Sequence, residues 1–563
     1  MVQALLGEGV DTVFGISGSH VLSIYDALRD APQIRHVTAS HENNAALMAE
    51  AYARVTGKPG VALVTAGPGA TNAVSGIAQA YTNAAPVILV SGSVPLNSKK
   101  ETFHGVDDPT FLHRIFSPVT KLSVRVEQAE DIYHVFAHAF SRALSGRPGP
   151  VHVEIDPTVL NTCVANPCIY AHEPRLRALP DQSMVARIVD ALRRAERPVI
   201  VAGKGVLVSR AAEELAQLAE LLTAPVVFPQ DALGCMSHDH PLCVSFMSTM
   251  MGINPLVIEL LNRSDAVFGI GLRPNASNLG PILHHIPNNL IFVGFDDLED
   301  TQEGAALSCV ADPKMMLQEL IPRLSASLLH DSTRNDTTQN RLRSLRSDSL
   351  AEIARNKQAL LSALHSAVEP YREKAPMHFG VALAELVKHL PPNTIVVSDV
   401  GNHAVWTLTY LMRLQTAELL QVGDWAAMGY ATPGTIGAKI ANSDRPVVGI
   451  TGDGSFLMSC AEFATAVQNR LRIIYVILHD GRHGMVEKLQ LRDYRRVYAT
   501  EINPPDFAKY AESFGAVGIR VEQPCELGNA FLQAFAADGP VIVDVICDSG
   551  VPYVSIPEAA HHT

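Results

Sequence analysis

The chain of 563 residues is 47% hydrophobic and 18% charged, a composition typical of a large globular protein with several domains. Its formal net charge of −13 argues against nucleic acid or an anionic membrane as a partner, and no apolar run approaches the roughly 18 residues of a membrane-spanning helix. The eight cysteines include no CxxC pair, which argues against a zinc site and favours reduced thiols in the cytoplasm. A helix–strand pattern begins almost at the first residue and leaves no room for a signal peptide.

Short apolar runs alternate with helical periodicity along most of the chain, which predicts parallel sheets covered by helices. The runs that we interpret as strands are 61–65, 87–90, 151–155, 199–202, 226–228, 266–270, 290–293, 395–398, 447–450, 473–478 and 541–545. Two polar stretches, at about 158–183 and 326–375, are interpreted as connectors, the second part loop and part helix, with helical character returning near Leu350. The predicted fold class is therefore α/β, with three doubly wound parallel-sheet domains at residues 1–160, 184–325 and 376–563.

The first and last thirds of the chain resemble each other. Residues 58–72 and 445–456 both carry a basic residue and a proline, then an apolar strand, then a glycine-rich turn into a helix. Residues 149–156 and 539–548 repeat a closing strand in the same way. This echo indicates two related domains, although such turns are common to all α/β folds.

The segment 39–60, ASHENNAALMAEAYARVTGKPG, places Glu42 near the start of a predicted helix whose apolar face includes Ala45 and Met48. A carboxyl group at that position is partly desolvated, which favours its neutral form and suits proton exchange. The alternative is an acid that only complements the helix dipole.

The segment 452–484 predicts a site for a phosphate and a cation. Asp453 and Asp480 each follow a predicted strand, and the strands are joined by a crossover helix, so both acids are expected where open α/β sheets bind ligands. Gly452 and Gly454 let the backbone approach a phosphate at a helix N-terminus. Acidic side chains beside a phosphate require a hard cation between them, which predicts a magnesium-bridged diphosphate. The alternative is a phosphate-free turn with solvated acids.

The same segment resembles the thiamine diphosphate (ThDP) motif, which runs from Gly-Asp-Gly to a pair of asparagines, here His479 and Asp480. The Glu42 segment resembles the catalytic-glutamate motif of the same enzymes. The resemblance spans essentially the whole chain, in the order pyrimidine-binding, middle and diphosphate-binding domain. It is closest to the acetolactate synthase and benzaldehyde lyase-like branch.

The resemblance implies roles for individual residues. Asp453 and Asp480 would bind Mg²⁺ through their side chains, with the Arg482 carbonyl as a third oxygen, and Glu42 would activate the cofactor and act in catalysis. Residues 399–406 and 423–438 match further family segments at the diphosphate and at the bend of the cofactor. The other residues implied in cofactor binding are Asn402, His403, Met428, Gly452, Gly454, Ser455, His483 and Met485.

Histidines occur in the segments that are expected to face the substrate, where this chain differs from ordinary acetolactate synthases. His20 occupies a turn that is similar to one in benzaldehyde lyase, and His104 stands where the group commonly has a glutamine. Because imidazole titrates near neutral pH, His20 and His104 are candidate catalytic residues that move protons, and His483 could reach the substrate as well. The alternative for each is a structural histidine in a surface loop.

The resemblance implies a ThDP- and Mg²⁺-dependent 2-oxoacid decarboxylase/carboligase. It would join pyruvate or a related 2-oxo acid to a second 2-oxo acid, aldehyde or ketone, giving an acyloin or acetohydroxy acid, in a homodimer or homotetramer. The alternatives are an acyloin C–C lyase, a flavin-dependent pyruvate oxidase and a non-enzymatic remnant of the fold. Residues 197–206 and 265–278, with Arg273, have a strand–turn pattern compatible with FAD, but a lone Gly-x-Gly turn is weak evidence and FAD stays uncertain.

Overall fold

The computed structural model describes the chain except residues 95–101, 165–172, 174, 246–252, 274–281, 287–288, 296–304, 333–335, 412–417, 549 and 551–563. One compact unit consists of Met1–Leu176, Glu373–Thr407 and Thr416–Gly550, and a second is formed mainly by Arg177–Arg372. Three six-stranded sheets, in which every strand pair is parallel, confirm the predicted α/β class. None of the helices in these described parts is both long and apolar enough to cross a membrane.

The first sheet of the first unit has the strand order β2-β1-β3-β4-β6-β5. Its strands are β1 (Thr12–Gly15), β2 (Arg35–Thr38), β3 (Gly60–Val64), β4 (Val87–Gly92), β5 (Leu122–Val126) and β6 (Val151–Ile155). Its helices are α1 (Val2–Gly7), α2 (Leu22–Arg29), α3 (Glu42–Thr56), α4 (Pro68–Asn72), α5 (Val74–Thr82), α6 (Phe111–Phe116), α7 (Ile132–Leu144) and α8 (Pro157–Leu160). The four inner strands are completely buried, whereas the two edge strands are partly exposed.

The second unit contains one sheet, with the strand order β12-β11-β10-β7-β8-β9. Its strands are β7 (Pro198–Ala202), β8 (Val226–Phe228), β9 (Cys243–Ser245), β10 (Ala266–Ile270), β11 (Leu290–Gly294) and β12 (Ala305–Val310). Its helices are α9 (Gln182–Arg194), α10 (Gly205–Val208), α11 (Ala212–Leu222), α12 (Pro255–Arg263), α13 (Pro313–Ser332) and α14 (Asp336–Val368). The last helix begins at Asp336, well before the expected Leu350. The first turns of this helix are rich in Ser, Arg, Asp, Thr and Asn, so their sequence carries little apolar periodicity to indicate a helix.

The second sheet of the first unit has the strand order β14-β13-β15-β16-β18-β17, which repeats the strand order of the first sheet. Its strands are β13 (Ile395–Ser398), β14 (Glu418–Gln421), β15 (Val447–Gly452), β16 (Ile474–His479), β17 (Val517–Val521) and β18 (Val541–Ile546). Its helices are α15 (Phe379–His389), α16 (Asn402–Leu411), α17 (Ala431–Ala441), α18 (Asp453–Ser459), α19 (Phe463–Gln468), α20 (Gly484–Tyr494), α21 (Phe507–Ser513) and α22 (Leu527–Ala536). The internal echo in the sequence thus corresponds to a repeated topology.

The two sheets of the first unit share one hydrophobic core, and helices α3 and α17 pack against each other in it. At Gly437 the two backbones come so close that a Cβ atom would overlap the carbonyl oxygen of Met48. Beside this contact the buried carboxylate of Glu50 accepts hydrogen bonds from the Tyr430 hydroxyl (2.6 Å) and from Asn83 Nδ2 (2.7 Å). Glycine is therefore required at position 437 by space rather than by backbone conformation.

We expect Gly437→Ala to destabilise the protein. In an unhindered helix this substitution stabilises by up to about 1 kcal/mol, but here the added methyl group meets backbone, and overpacking of this kind costs about 1–3 kcal/mol. Thermal unfolding should give a melting temperature several degrees lower. The matched control is Gly528→Ala in α22, where the nearest atom to a Cβ is the end of a side chain, Glu385 Oε1 at 3.4 Å. Equal melting temperatures for the two variants would contradict the proposed packing.

Candidate active site

Two acids meet at the carboxyl ends of β15 and β16, which are adjacent and parallel. Asp453 is the first residue of α18, directly after β15, and Asp480 directly follows β16. Asp453 Oδ1 accepts a hydrogen bond from Gly454 N (2.8 Å), and Asp453 Oδ2 accepts one from Gly481 N (2.7 Å). The second bond ties the turn after β15 to the residue that follows Asp480.

The electrostatics of this pair are unfavourable without a cation. Burial raises the pKa of Asp453, and burial together with the charge of Asp453 raises the pKa of Asp480 to about 7. His479 compensates in part, with Nε2 at 3.9 Å from Asp453 Oδ2 and Nδ1 at 2.9 Å from Asp544 Oδ1. Burial lowers the pKa of His479, but the hydrogen bond and charge of Asp544 outweigh burial and raise it. Two buried, mutually repelling carboxylates are the arrangement that a divalent cation relieves.

The donor set also fits Mg²⁺. In the described parts of the chain, no three His, Cys, Asp or Glu side chains converge to hold a metal by themselves. Two carboxylates completed by a carbonyl, phosphate oxygens and water are typical of magnesium sites beside a diphosphate. The Arg482 guanidinium is engaged by the Glu487 carboxylate, at 3.2 Å from each oxygen, so a role for Arg482 at the metal falls to its backbone.

A second group of residues surrounds the glycine turn at 452–454. The His403 ring lies against Gly452, where a Cβ would be 3.0 Å from Nδ1, and its Nε2 is buried with no hydrogen-bond partner among the described residues. Burial lowers the pKa of His403 to about 3, so the ring is neutral and its unpartnered nitrogen suits an acceptor atom of a ligand. The ring of His483 approaches Gly454 in the same way, at 3.0 Å from a Cβ built there.

The remaining predicted cofactor residues lie nearby in the chain. Ser455 donates its hydroxyl to the Val400 carbonyl (3.2 Å) and so holds the 399–402 turn. Asn402 is buried at the start of α16, and Met428 and Met485 are half-buried.

The first sheet gathers Glu42, His20 and His104. Glu42 is the first residue of α3, and its Oε2 accepts a hydrogen bond from Asn72 Nδ2 (3.0 Å). The rings of His20 and His104 stack with centroids 5.0 Å apart. Near them, Thr65 Oγ1 and His104 Nδ1 are buried with no hydrogen-bond partner among the described residues, which fits a ligand with polar edges.

The predicted site residues fall into two clusters, one at each sheet of the first unit. Glu42, His20 and His104 form the first cluster, and Asp453, Asp480, Arg482, His403 and His483 form the second. Sequence reasoning missed Asp399, a buried acid that accepts hydrogen bonds from the backbone N–H groups of Val400, Gly429 and Ala431, each at 2.9 Å. Asp399 stands first in the segment 399–406, and its position after an apolar strand was the available signal.

The loop that carries His104 is fastened by Arg125, on the edge strand β5. The Arg125 guanidinium donates to the carbonyl groups of Val94 and Pro109 (3.2 Å to the latter), which lie on either side of His104 in the chain. It also pairs with the buried carboxylate of Glu154 (3.1 Å). One buried cation thus holds both ends of the loop.

The glycine turn considered for FAD is closely packed. Gly203 N and Gly205 N donate to the carbonyl groups of Ile270 and Gly271, both at 2.8 Å. These two N–H groups are therefore engaged by the neighbouring strand end and do not face a dinucleotide phosphate.

Three family models match the chain. They are the thiamine pyrophosphate enzyme N-terminal TPP binding domain over residues 1–111, the central domain over 185–320 and the C-terminal TPP binding domain over 399–545. The chain belongs to this family, and thiamine diphosphate, the same compound as TPP, is its cofactor.

Curated relatives define the branch. The probable acetolactate synthase large subunit of Methanococcus aeolicus is 31% identical over 100% of this chain and 94% of the relative. The acetolactate synthase of Bacillus subtilis is 31% identical over 97% of this chain and 92% of its own length. The acetolactate synthase isozyme 3 large subunit of Escherichia coli is 31% identical, with 97% and 94% covered. The protein is thus an enzyme of the acetolactate synthase-like branch, a ThDP-dependent carboligase.

We expect Arg125→Met to destabilise the protein and to loosen the His104 loop. Removing one partner of a buried ion pair leaves Glu154 charged and unpaired, which costs about 3 kcal/mol or more. The melting temperature should fall, and amides of residues 102–110 should exchange with solvent faster. The control is Arg114→Met, which breaks an exposed ion pair with Asp108 (2.7 Å) in the same region and should leave both measurements unchanged. Wild-type exchange in Arg125→Met would contradict the role of Arg125 in holding the loop.

Proposed function

We propose that the protein is a ThDP- and Mg²⁺-dependent 2-oxoacid decarboxylase/carboligase. It would release CO₂ from pyruvate or a related 2-oxo acid and join the remaining acyl unit to a second 2-oxo acid, aldehyde or ketone, giving an acetohydroxy acid or acyloin. The observation that carries the proposal is the buried, repelling pair Asp453–Asp480 in the same compact unit as Glu42. The names of the acetolactate synthase relatives support the choice of substrates.

The second-sheet cluster would hold the diphosphate and its metal. Asp453 and Asp480 would bind Mg²⁺ with their carboxylates, and Arg482 with its carbonyl oxygen. The residues proposed to contact the cofactor around them are Asn402, His403, Met428, Gly452, Gly454, Ser455, His483 and Met485. The bound ThDP supplies the electron sink that makes loss of CO₂ feasible.

The first-sheet cluster would move protons. Asn72 anchors Glu42 Oε2, which leaves Oε1, beside Gly69, to hold and exchange a proton with the cofactor. Burial and the neighbouring His104 lower the pKa of His20, which favours the neutral imidazole, the form that can accept a proton. We propose that His20 and His104 serve the oxygen atoms of the substrates in this way.

The family resemblance also suggests a domain organisation and an oligomeric state for the protein. We infer a pyrimidine-binding domain at 1–160, a middle domain at 184–325 and a diphosphate-binding domain at 376–563. We also infer a homodimer or homotetramer in the cytoplasm. The proposed cofactors are ThDP and Mg²⁺, and the proposed reaction requires no FAD.

Product analysis tests the reaction. Purified protein with ThDP, Mg²⁺ and pyruvate, alone and with a panel of aldehydes and 2-oxo acids, should release CO₂ and form an acetohydroxy acid or acyloin. Glu42→Gln should bind ThDP but lose about 100-fold or more of the rate, because proton transfer by a positioned acid contributes about 10²–10⁴-fold. Cleavage of acyloins without CO₂ release from pyruvate would instead assign a lyase. An undiminished rate in Glu42→Gln would remove Glu42 from its proposed role.

Asp480→Ala should affect the free and the loaded protein in opposite directions. Without cofactor, the substitution removes a desolvated charge that Asp453 repels, so the melting temperature should rise or stay level. With ThDP and Mg²⁺, a lost metal ligand should weaken affinity by about tenfold or more, and the stabilisation by cofactor should shrink.

The measurements are calorimetric titration at fixed Mg²⁺ and thermal unfolding with and without ligands. Asp444→Ala is the control, because Asp444 is an exposed acid before the amino end of β15, whereas Asp453 and Asp480 follow the carboxyl ends of β15 and β16. Wild-type affinity in Asp480→Ala would refute the assignment of Asp480 as a ligand.

A further inference from the structure

Glu462 is a buried carboxylate that belongs to the second sheet of the first unit but binds the backbone of the first. Its side chain is 0% exposed. Glu462 Oε1 accepts hydrogen bonds from Ser40 N (2.7 Å), His41 N (3.1 Å) and Asn44 Nδ2 (3.3 Å). Its Oε2 accepts one from the hydroxyl of Thr465 (2.8 Å). Four donors therefore converge on a single acid in the interior.

Glu462 links the segment that follows Asp453 to the segment that precedes Glu42. A 3-10 turn, Cys460–Glu462, continues directly from helix α18, which begins at Asp453. On the other side, Ser40 and His41 are the two residues that immediately precede Glu42. A further hydrogen bond, from Ser40 Oγ to the Ala461 carbonyl (3.1 Å), ties the same two segments together.

We propose that Glu462 is a positioning residue for Glu42, acting from the diphosphate-binding side of the molecule; this inference rests on the proposed function of Glu42. Bonds to backbone N–H groups fix the path by which the chain enters α3, and that path sets the direction of the Glu42 side chain. Asn72 fixes the far end of the same side chain. The two residues before Glu42 are thus held by the second sheet, and the Glu42 carboxylate is held by the first.

The chemistry of Glu462 suits this role. A carboxylate that accepts N–H bonds makes charge-assisted hydrogen bonds, which are about twice as strong as neutral ones, and its negative charge is favourable at a helix N-terminus. Burial raises the pKa of Glu462, and the donors from Thr465, Ser40, Asn44 and His41 oppose that shift. The donors therefore compensate for burial at the point where α3 starts.

Glu50 provides a matched control. It is equally buried, lies in α3 about two helical turns beyond Glu42, and faces the second sheet as well. Its partners, however, are side chains, namely Tyr430, Asn83 and Arg54. Replacing Glu50 removes a comparable set of buried hydrogen bonds without touching the backbone before Glu42.

The first test is amide hydrogen exchange in the cofactor-free protein. In Glu462→Ala the amides of Ser40 and His41 should exchange about tenfold faster or more, because each loses a hydrogen bond to a charged acceptor. Glu462→Gln keeps an acceptor oxygen and should stay within about threefold of wild type. Glu50→Ala should lower the melting temperature while leaving these two amides protected. Unchanged protection in Glu462→Ala would overturn the proposal.

The second test follows the C2 proton of bound ThDP, whose exchange with deuterium reports on Glu42. At saturating ThDP and Mg²⁺, Glu462→Ala should slow this exchange about tenfold or more, with ThDP affinity changed by less than about threefold. Glu50→Ala should stay within about twofold of wild type. If Glu462→Ala does not fold, Thr465→Val removes the hydroxyl that donates to Glu462 Oε2 and also contacts the Thr38 carbonyl (3.0 Å), and it leaves the bonds to Ser40 and His41 in place. It should give a smaller change in the same direction.

These outcomes distinguish failure of the positioning role of Glu462 from failure of the proposed role of Glu42. A wild-type C2 exchange rate in Glu462→Ala, beside a lost rate in Glu42→Gln, refutes the role of Glu462 and leaves the proposed function intact. A wild-type rate in Glu42→Gln refutes the proposed role of Glu42 itself. Equal slowing in Glu462→Ala and Glu50→Ala would attribute the effect to general destabilisation and would also overturn the positioning role.

Discussion

The candidate site depends first on the packing of α3 against α17. The absence of a side chain at Gly437 lets the two helix backbones meet at the Met48 carbonyl. Helix α3 begins at Glu42, and α17 follows the segment that contains Met428. This close contact between helix backbones therefore seats the helix that carries Glu42 against the second sheet.

The site compensates its buried negative charges mainly with backbone amides, with His479 near Asp453 as a basic side chain, in a chain of net charge −13. Asp399 accepts from three N–H groups, Asp453 from two, and Glu462 from two. Asp480 is held by the more distant N–H of Arg482, at 3.4 Å, and it faces the charge of Asp453. Its charge is thus less well compensated than those of the other three acids, which is the electrostatic reason to expect the cation beside Asp480.

The sequence predicts the inner strands better than the edges for a physical reason. Completely buried strands such as β6 and β10 are continuous apolar runs and were found, whereas the equally buried but short β1 was missed. All six edge strands were missed, because strands such as β2 and β17 are exposed on one side and mix polar with apolar residues. Motif residues at strand ends could be predicted from local pattern. The Glu462–Ser40 contact could not, because it joins residues 422 positions apart and no local pattern marks it.

The repeated topology gives the two sheets equivalent turns, which suits the proposed division of the chemistry between them. Equivalent glycine-rich turns follow β3 and β15, but the first reads Gly-Pro-Gly and the second Gly-Asp-Gly. Pro68, at the first position of α4, has neither an N–H group for a phosphate nor a charge for a metal. That turn instead contacts the loop that carries His104, because the backbone carbonyl of His104 packs against Gly67. The difference between Pro68 and Asp453 therefore supports the proposal that places anion and metal binding at the second sheet and proton transfer at the first.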